Sequence, residues 1–176
     1  MANIPGEWDG ISANGGGILN YTQEEIMIVN LIRNWSFEDG LTGWTFSPTS
    51  GMSVTKEHAV DGDWSLRLPG GGGLIYQAFG RPVWATGDLF FSCKGLGMIE
   101  ATVEYADDTG TGSMADLGRG TLEHFVVQRL PVHKTRPISR VMFCAVGKNE
   151  AYIDTVILFG WDPIIPARHL DSFPIA

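Results

Sequence analysis

A chain of 176 residues, 44% of them hydrophobic, can bury one full core, and a single domain with extra arms is the simplest expectation. Its formal charge of −8 argues against a nucleic-acid-binding face, because phosphate contacts need clustered Lys and Arg and no basic run is present. The 23 glycines and nine prolines imply frequent turns, and no apolar run approaches the roughly 20 residues that a membrane-spanning helix requires.

Residues 1–30 read as an N-terminal arm. The start, MANIPGEWDGISANGGG, lacks the basic opening and apolar core of a secretory signal, so the chain is expected to be made in a cytosol and to stay soluble. Ile4, Trp8 and Ile11 are too apolar for a plain solvated tail, and this arm is expected to dock on something. Thr22-Gln23-Glu24-Glu25 fits a capping box and predicts a short helix over Gln23–Val29, although Ile26–Val29 reads equally as a strand.

From residue 31 to 160 the chain reads as strands and loops. Trp44–Phe46, Ser53–Thr55 and Trp64–Leu68 come first; in the last, Trp64, Leu66 and Leu68 alternate with Ser65 and Arg67, the period of a half-buried strand. Trp44 and Trp64 are expected in the core. Further strands are predicted at Leu74–Phe79, Asp88–Lys94, Ile99–Tyr105, Leu122–Leu130, Ile138–Val146 and Ala151–Phe159. The turns between them include Arg81-Pro82, Asp107–Gly112 and Gly118–Gly120. About eight to ten antiparallel strands at this spacing predict an all-β fold, a jelly-roll β-sandwich with extended N- and C-terminal arms. Cys93 and Cys144, each inside an apolar run, are expected to be buried free thiols. Residues 161–176 form the second arm: Pro163, Pro166 and Pro174 forbid a central strand, while Trp161, Ile164, Ile165 and Phe173 keep the segment adhesive.

Several segments in order carry a family resemblance. Asn34-Trp35-Ser36-Phe37-Glu38 followed by Gly40-Leu41-Thr42-Gly43-Trp44, the stretch His58 to Leu68, Phe90 to Gly95, and Tyr152-Ile153-Asp154-Thr155-Val156-Ile157-Leu158 together resemble carbohydrate-binding modules with a galactose-binding-like jelly roll. The resemblance spans Leu31 to Phe159. It implies a structural calcium held by Glu38, Asp154 and carbonyls within Asp61–Ser65, an oxygen-rich set that suits a hard cation. Thr155 stands where the family has a second Asp, which removes one acidic partner. The alternative is that Glu38 and Asp154 accept hydrogen bonds from backbone amides across the sandwich end.

Sugar binding asks for an exposed aromatic ringed by polar groups, for which Trp35, Trp84, Tyr105 and Gln128 are the candidates. No catalytic constellation stands out. Pro69-Gly70-Gly71-Gly72-Gly73 lacks the Gly-Lys-Ser/Thr of a phosphate loop, the four histidines are isolated, and Glu100 and Glu104 read as a solvated face rather than a glycosidase pair. The expectation is a non-enzyme. The favoured reading is an assembly protein of a virion, a phage capsid decoration, cement or tail-associated protein, homo-oligomeric and bound to other particle proteins through its arms. Its alternative is a carbohydrate-binding module that recognises glycans. Neither nucleic acid nor membrane is an expected partner.

Overall fold

The computed structural model describes residues 28–47, 51–116 and 123–161. Among them are eleven strands and no helix. The strands are β1 (Ile28–Asn30), β2 (Thr45–Phe46), β3 (Ser53–Thr55), β4 (Ser65–Leu68), β5 (Leu74–Val83), β6 (Ala85–Gly95), β7 (Met98–Tyr105), β8 (Gly110–Asp116), β9 (Val126–Leu130), β10 (Ile138–Val146) and β11 (Ala151–Trp161). One sheet runs β3-β4-β11-β6-β9, with β1 added to β11; the other runs β2-β5-β10-β7-β8. All pairings are antiparallel. This is a jelly-roll β-sandwich, as the turn spacing predicts.

Period-two alternation builds the core. Ile99, Ala101, Val103 and Tyr105 of β7 face Val141, Phe143 and Ala145 of β10 on the inner side, and the opposing sheet supplies Leu66, Leu68, Leu89, Phe91, Cys93 and Ile153. Trp44 stacks on Phe37 with ring centroids 5.5 Å apart and tilts against Phe143. Trp64 differs from expectation. It precedes β4 and is half-buried, with Lys56 Nζ 4.6 Å from its ring centre. Trp64 lies ahead of the strand with its amide held by Glu38, so the alternation of β4 begins only at Ser65 and the core takes Leu66 and Leu68.

Other expectations shift locally. Ile28–Asn30 pairs with Phe159–Trp161, so the sheet takes in residues at both supposed arm boundaries, and Ile28-Val29 is strand rather than helix. Arg81-Pro82 is not a turn. It lies inside β5, where the register against β10 slips between Ile138↔Val83 and Arg140↔Ala78 and the proline need not complete a ladder. The turn after Tyr105 closes by Thr109, with Asp108 left-handed, and β8 then starts at Gly110 despite its glycines. Cys93 and Cys144 are free; the first is fully buried, the second half-buried. The glycines of 118–120, residues 23–27 of the predicted helix, and Ile4, Trp8, Ile11, Ile164, Ile165 and Phe173 lie outside the described residues.

Candidate functional site

The family-like opening folds into a clamp. The Asn34 side chain ties its own loop, donating to the carbonyls of Gly40 and Thr42 and accepting from the Asp39 amide. Phe37, in left-handed backbone, drops into the core and leaves Glu38 at the surface. Glu38 Oε1 then accepts from the amides of Asp63 (2.9 Å) and Trp64 (2.8 Å). Gly62 makes that approach feasible: its φ is +69°, and a Cβ would fall within 3 Å of the Glu38 carboxylate. The far end of the same loop is held by Asp154, whose Oδ2 accepts from Val60 (2.6 Å) and Asp61 (3.0 Å) while Oδ1 takes the Thr155 amide (2.7 Å).

These contacts decide how a calcium would sit. A cation needs carbonyl and carboxylate oxygens turned inward, yet this loop turns N–H groups toward both acids. Among the described residues no three His, Cys, Asp or Glu side chains come together as a metal group. The donor set as folded therefore suits the carboxylates themselves and does not fit a cation. Asp154 is fully buried, and burial raises its pKa above the usual carboxylate value, against the pull of its three amide donors. Thr155 follows in left-handed backbone at a register slip between Asp154 and Ile157, so the position that departs from the family pattern is a β-bulge.

The clamped loop carries His58 to the outer face of its sheet, beside an open pocket of about 480 Å³. Register explains the rest of its lining. Tyr152 of β11 lies opposite Arg67 of β4 on one side and Lys94 of β6 on the other, so three strands present one outward row. Lys148, Asn149 and Glu150 rise from the β10–β11 turn, and Gly70 forms the wall across from them, with no room for a Cβ against the Lys148 backbone. The His58 ring meets Tyr152 edge-on at 4.5 Å. Tyr152 donates its hydroxyl to Glu150 Oε1 (2.7 Å), and Arg67 Nε donates to Glu150 Oε2 (2.9 Å). Those two bonds, the phenol first, hold Glu150 below its ordinary pKa; burial and then the carboxylate push Tyr152 up to about 12. Lys94 Nζ reaches His58 Nδ1 (3.2 Å) and the Glu123 carbonyl (3.4 Å).

A second pocket, about 590 Å³, lies between Val29–Arg33 and β5. Its amide side chains are already used: Asn30 bonds Val156, Ile32 and Leu158, and Gln77 bonds the Arg33 backbone twice. In the His58 pocket the side chains of Lys148 and Asn149 make no hydrogen bond or ion pair among the described residues.

The sequence candidates for sugar stacking scatter. Tyr105 is fully buried, its hydroxyl spent on Thr111 Oγ1 and the His133 amide, which corrects the reading of it as a platform. Trp35 packs half-buried against the core, and Gln128 sits opposite buried Phe91. Trp84 is exposed, 49%, but stands apart from the pocket: its carbonyl accepts from the amide of Trp161, and Ile28 and Phe159 lie beside that residue as further exposed apolar side chains. Glu104 pairs with Arg140, 2.6 Å, on the outside of the other sheet. Sequence reasoning missed Arg67, Lys94, Lys148, Asn149, Glu150 and Tyr152 as a group. Alternation points the first, second and last outward, but nothing in the sequence makes their strands neighbours.

No protein-family model matches the sequence, and no curated protein matches it. Solved structures do. A module titled TmCBM61, in complex with beta-1,4-galactotriose, shares 19% identity at a TM-score of 0.55 over 75% of this chain and 99% of that one. A CBM22-1 xylan-binding domain from Paenibacillus barcinonensis shares 18% at 0.52, over 72% and 90%. The chain has the fold of carbohydrate-binding modules. The same fold occurs within the enzymatically active domain of tailspike protein 4 from bacteriophage CBA120, with 16% identity and a TM-score of 0.56; there this chain spans 76% of itself and 21% of the tailspike.

Proposed function

We propose that this chain is a non-catalytic carbohydrate-binding domain that takes sugar in the pocket between His58, Arg67, Lys94, Asn149 and Tyr152. The observation that supports it is the pocket itself: side chains from three strands and two loops converge on a volume within the range of small-ligand sites, and several of their donors are unspent. The likeness to sugar-binding modules is consistent with this and concerns the fold alone. A glycan array followed by calorimetry tests it. Binding is expected to fall about tenfold or more in His58→Ala and Asn149→Ala, since each removes a hydrogen-bonding group from the site. An array with no binder, or affinity indifferent to both substitutions, would end the reading.

A second reading, assembly on a virion or other particle, is favoured by the apolar cluster of Ile28, Trp84, Phe159 and Trp161. Exposed large apolar groups gathered on one face mark contact surfaces more often than solvent faces. The cluster and the pocket lie at opposite ends of β11, roughly 25 Å apart at strand rise, so one end can attach while the other binds sugar. Copies of this chain or other particle proteins are the partners it implies. Sedimentation of the full chain and of Trp84→Ser/Trp161→Ser tests it. Self-association that survives unchanged in the double variant, or a monomer at all concentrations that also fails to join particles, rules it out.

A further inference from the structure

We propose that the sugar taken by the His58 pocket is anionic, bearing a carboxylate or a sulfate. The inference rests on the glycan-binding reading and sharpens it. The pocket lining carries Arg67, Lys94 and Lys148 against Glu150 alone, a formal +2 on a chain whose net charge is −8. Arg67 is already paired with Glu150 at 2.7 Å. The two lysines are not: the described ion pairs involve Lys56, Arg67, Arg129, Arg136 and Arg140, and none of them engages Lys94 or Lys148.

Part of the pocket's donor capacity is left for a ligand. An ammonium has three. Lys94 spends two, on His58 Nδ1 and the Glu123 carbonyl, and keeps one. Because Lys94 donates to Nδ1, the neutral His58 ring carries its hydrogen on Nε2, a second donor. Lys148 is exposed and has no partner among the described residues. Two ammonium groups, an imidazole N–H and the Asn149 amide thus face one volume, and its single acid already receives Tyr152 and Arg67. Unspent donors on a chain of net charge −8 recognise an anion and draw it in against the protein's overall repulsion. A neutral sugar would draw only hydrogen bonds from these ammonium groups and nothing from their charge.

The test is calorimetry on the full chain with three probes: tri-galacturonate for the carboxylate, a chondroitin sulfate tetrasaccharide for the sulfate, and neutral galactotriose. At least one acidic probe should bind tenfold or more tightly than the neutral one. Its affinity should fall about tenfold in Lys148→Met and in Lys94→Met and weaken as salt rises. Which acidic probe binds identifies the charged group. Lys148 is exposed, so its variant decides the matter even if Lys94→Met folds poorly. Galactotriose binding as tightly as the acids, unmoved by Lys148→Met, overturns the inference and leaves the glycan-binding reading standing; binding of none of the three, with an empty array, overturns both.

Discussion

Replacing Asp154 with Ala tests whether the loop that carries His58 is held by amide hydrogen bonds or by a metal. Three amides lose their acceptor: Val60, Asp61 and Thr155. A bond to a charged acceptor contributes about 1.5–3 kcal/mol in full. Val60 and Asp61 are exposed, so their freed amides turn to water and the loss there shrinks to about 0.5–1 kcal/mol each. Thr155 sits at the bulge within the sheet and loses more, about 2 kcal/mol. Removing the carboxylate returns part of this cost, because burial already disfavours its charge. The net cost is about 2–3 kcal/mol, a fall in Tm of roughly 4–12 °C for a domain of this size. Asp154→Asn should lie between the two, because it keeps an acceptor for the loop amides but turns an NH2 toward the Thr155 amide. Thermal and urea melts in calcium and in EGTA measure all three proteins. An Asp154→Ala protein within 0.5 kcal/mol of the parent, or calcium raising the parent's Tm and not the variant's, would refute a loop held by amide hydrogen bonds.

Tyr105→Phe should cost about 1–2 kcal/mol in urea melts, because it strips the His133 amide of a buried acceptor, and should leave glycan affinity unchanged. Burial pushes the Cys93 thiol up to about 12, so native protein at pH 8 should leave Cys93 unmodified by a thiol-disulfide reagent until it is unfolded. Prompt labelling of Cys93 in the native state would contradict that burial. Glu150 has a depressed pKa, so its contribution is present above the ordinary carboxylate value and is lost as pH falls through its folded one. Melts between pH 6 and pH 3 should therefore show the parent losing slightly more stability than Glu150→Gln, a small difference because the pair is half exposed.

Much of this was legible in the sequence. The alternation of Ile99, Ala101, Val103 and Tyr105 points all four side chains one way, and the structure buries all four. Tyr105, read as a candidate sugar platform, is in step with three core positions and shares their buried face. Glu38 and Asp154 stood out as a pair that reaches one loop. What they meet there, N–H rather than C=O, depends on how the Val60–Trp64 backbone turns, and no side-chain pattern encodes that. Trp84 and Trp161, 77 positions apart, read as separate features until β1, β6 and β11 bring them together.

Period and turn chemistry act over a few residues, so the sequence by itself determined an antiparallel sandwich, most of its strands and the inward face of each. The pocket needed more. Arg67, Lys94 and Tyr152 share a row because β4 and β6 flank β11 in one register, a choice made by the packing of the whole sandwich between segments up to 85 positions apart. Local sequence tells each of these side chains which way to point, and pairing across the sheet tells it beside whom.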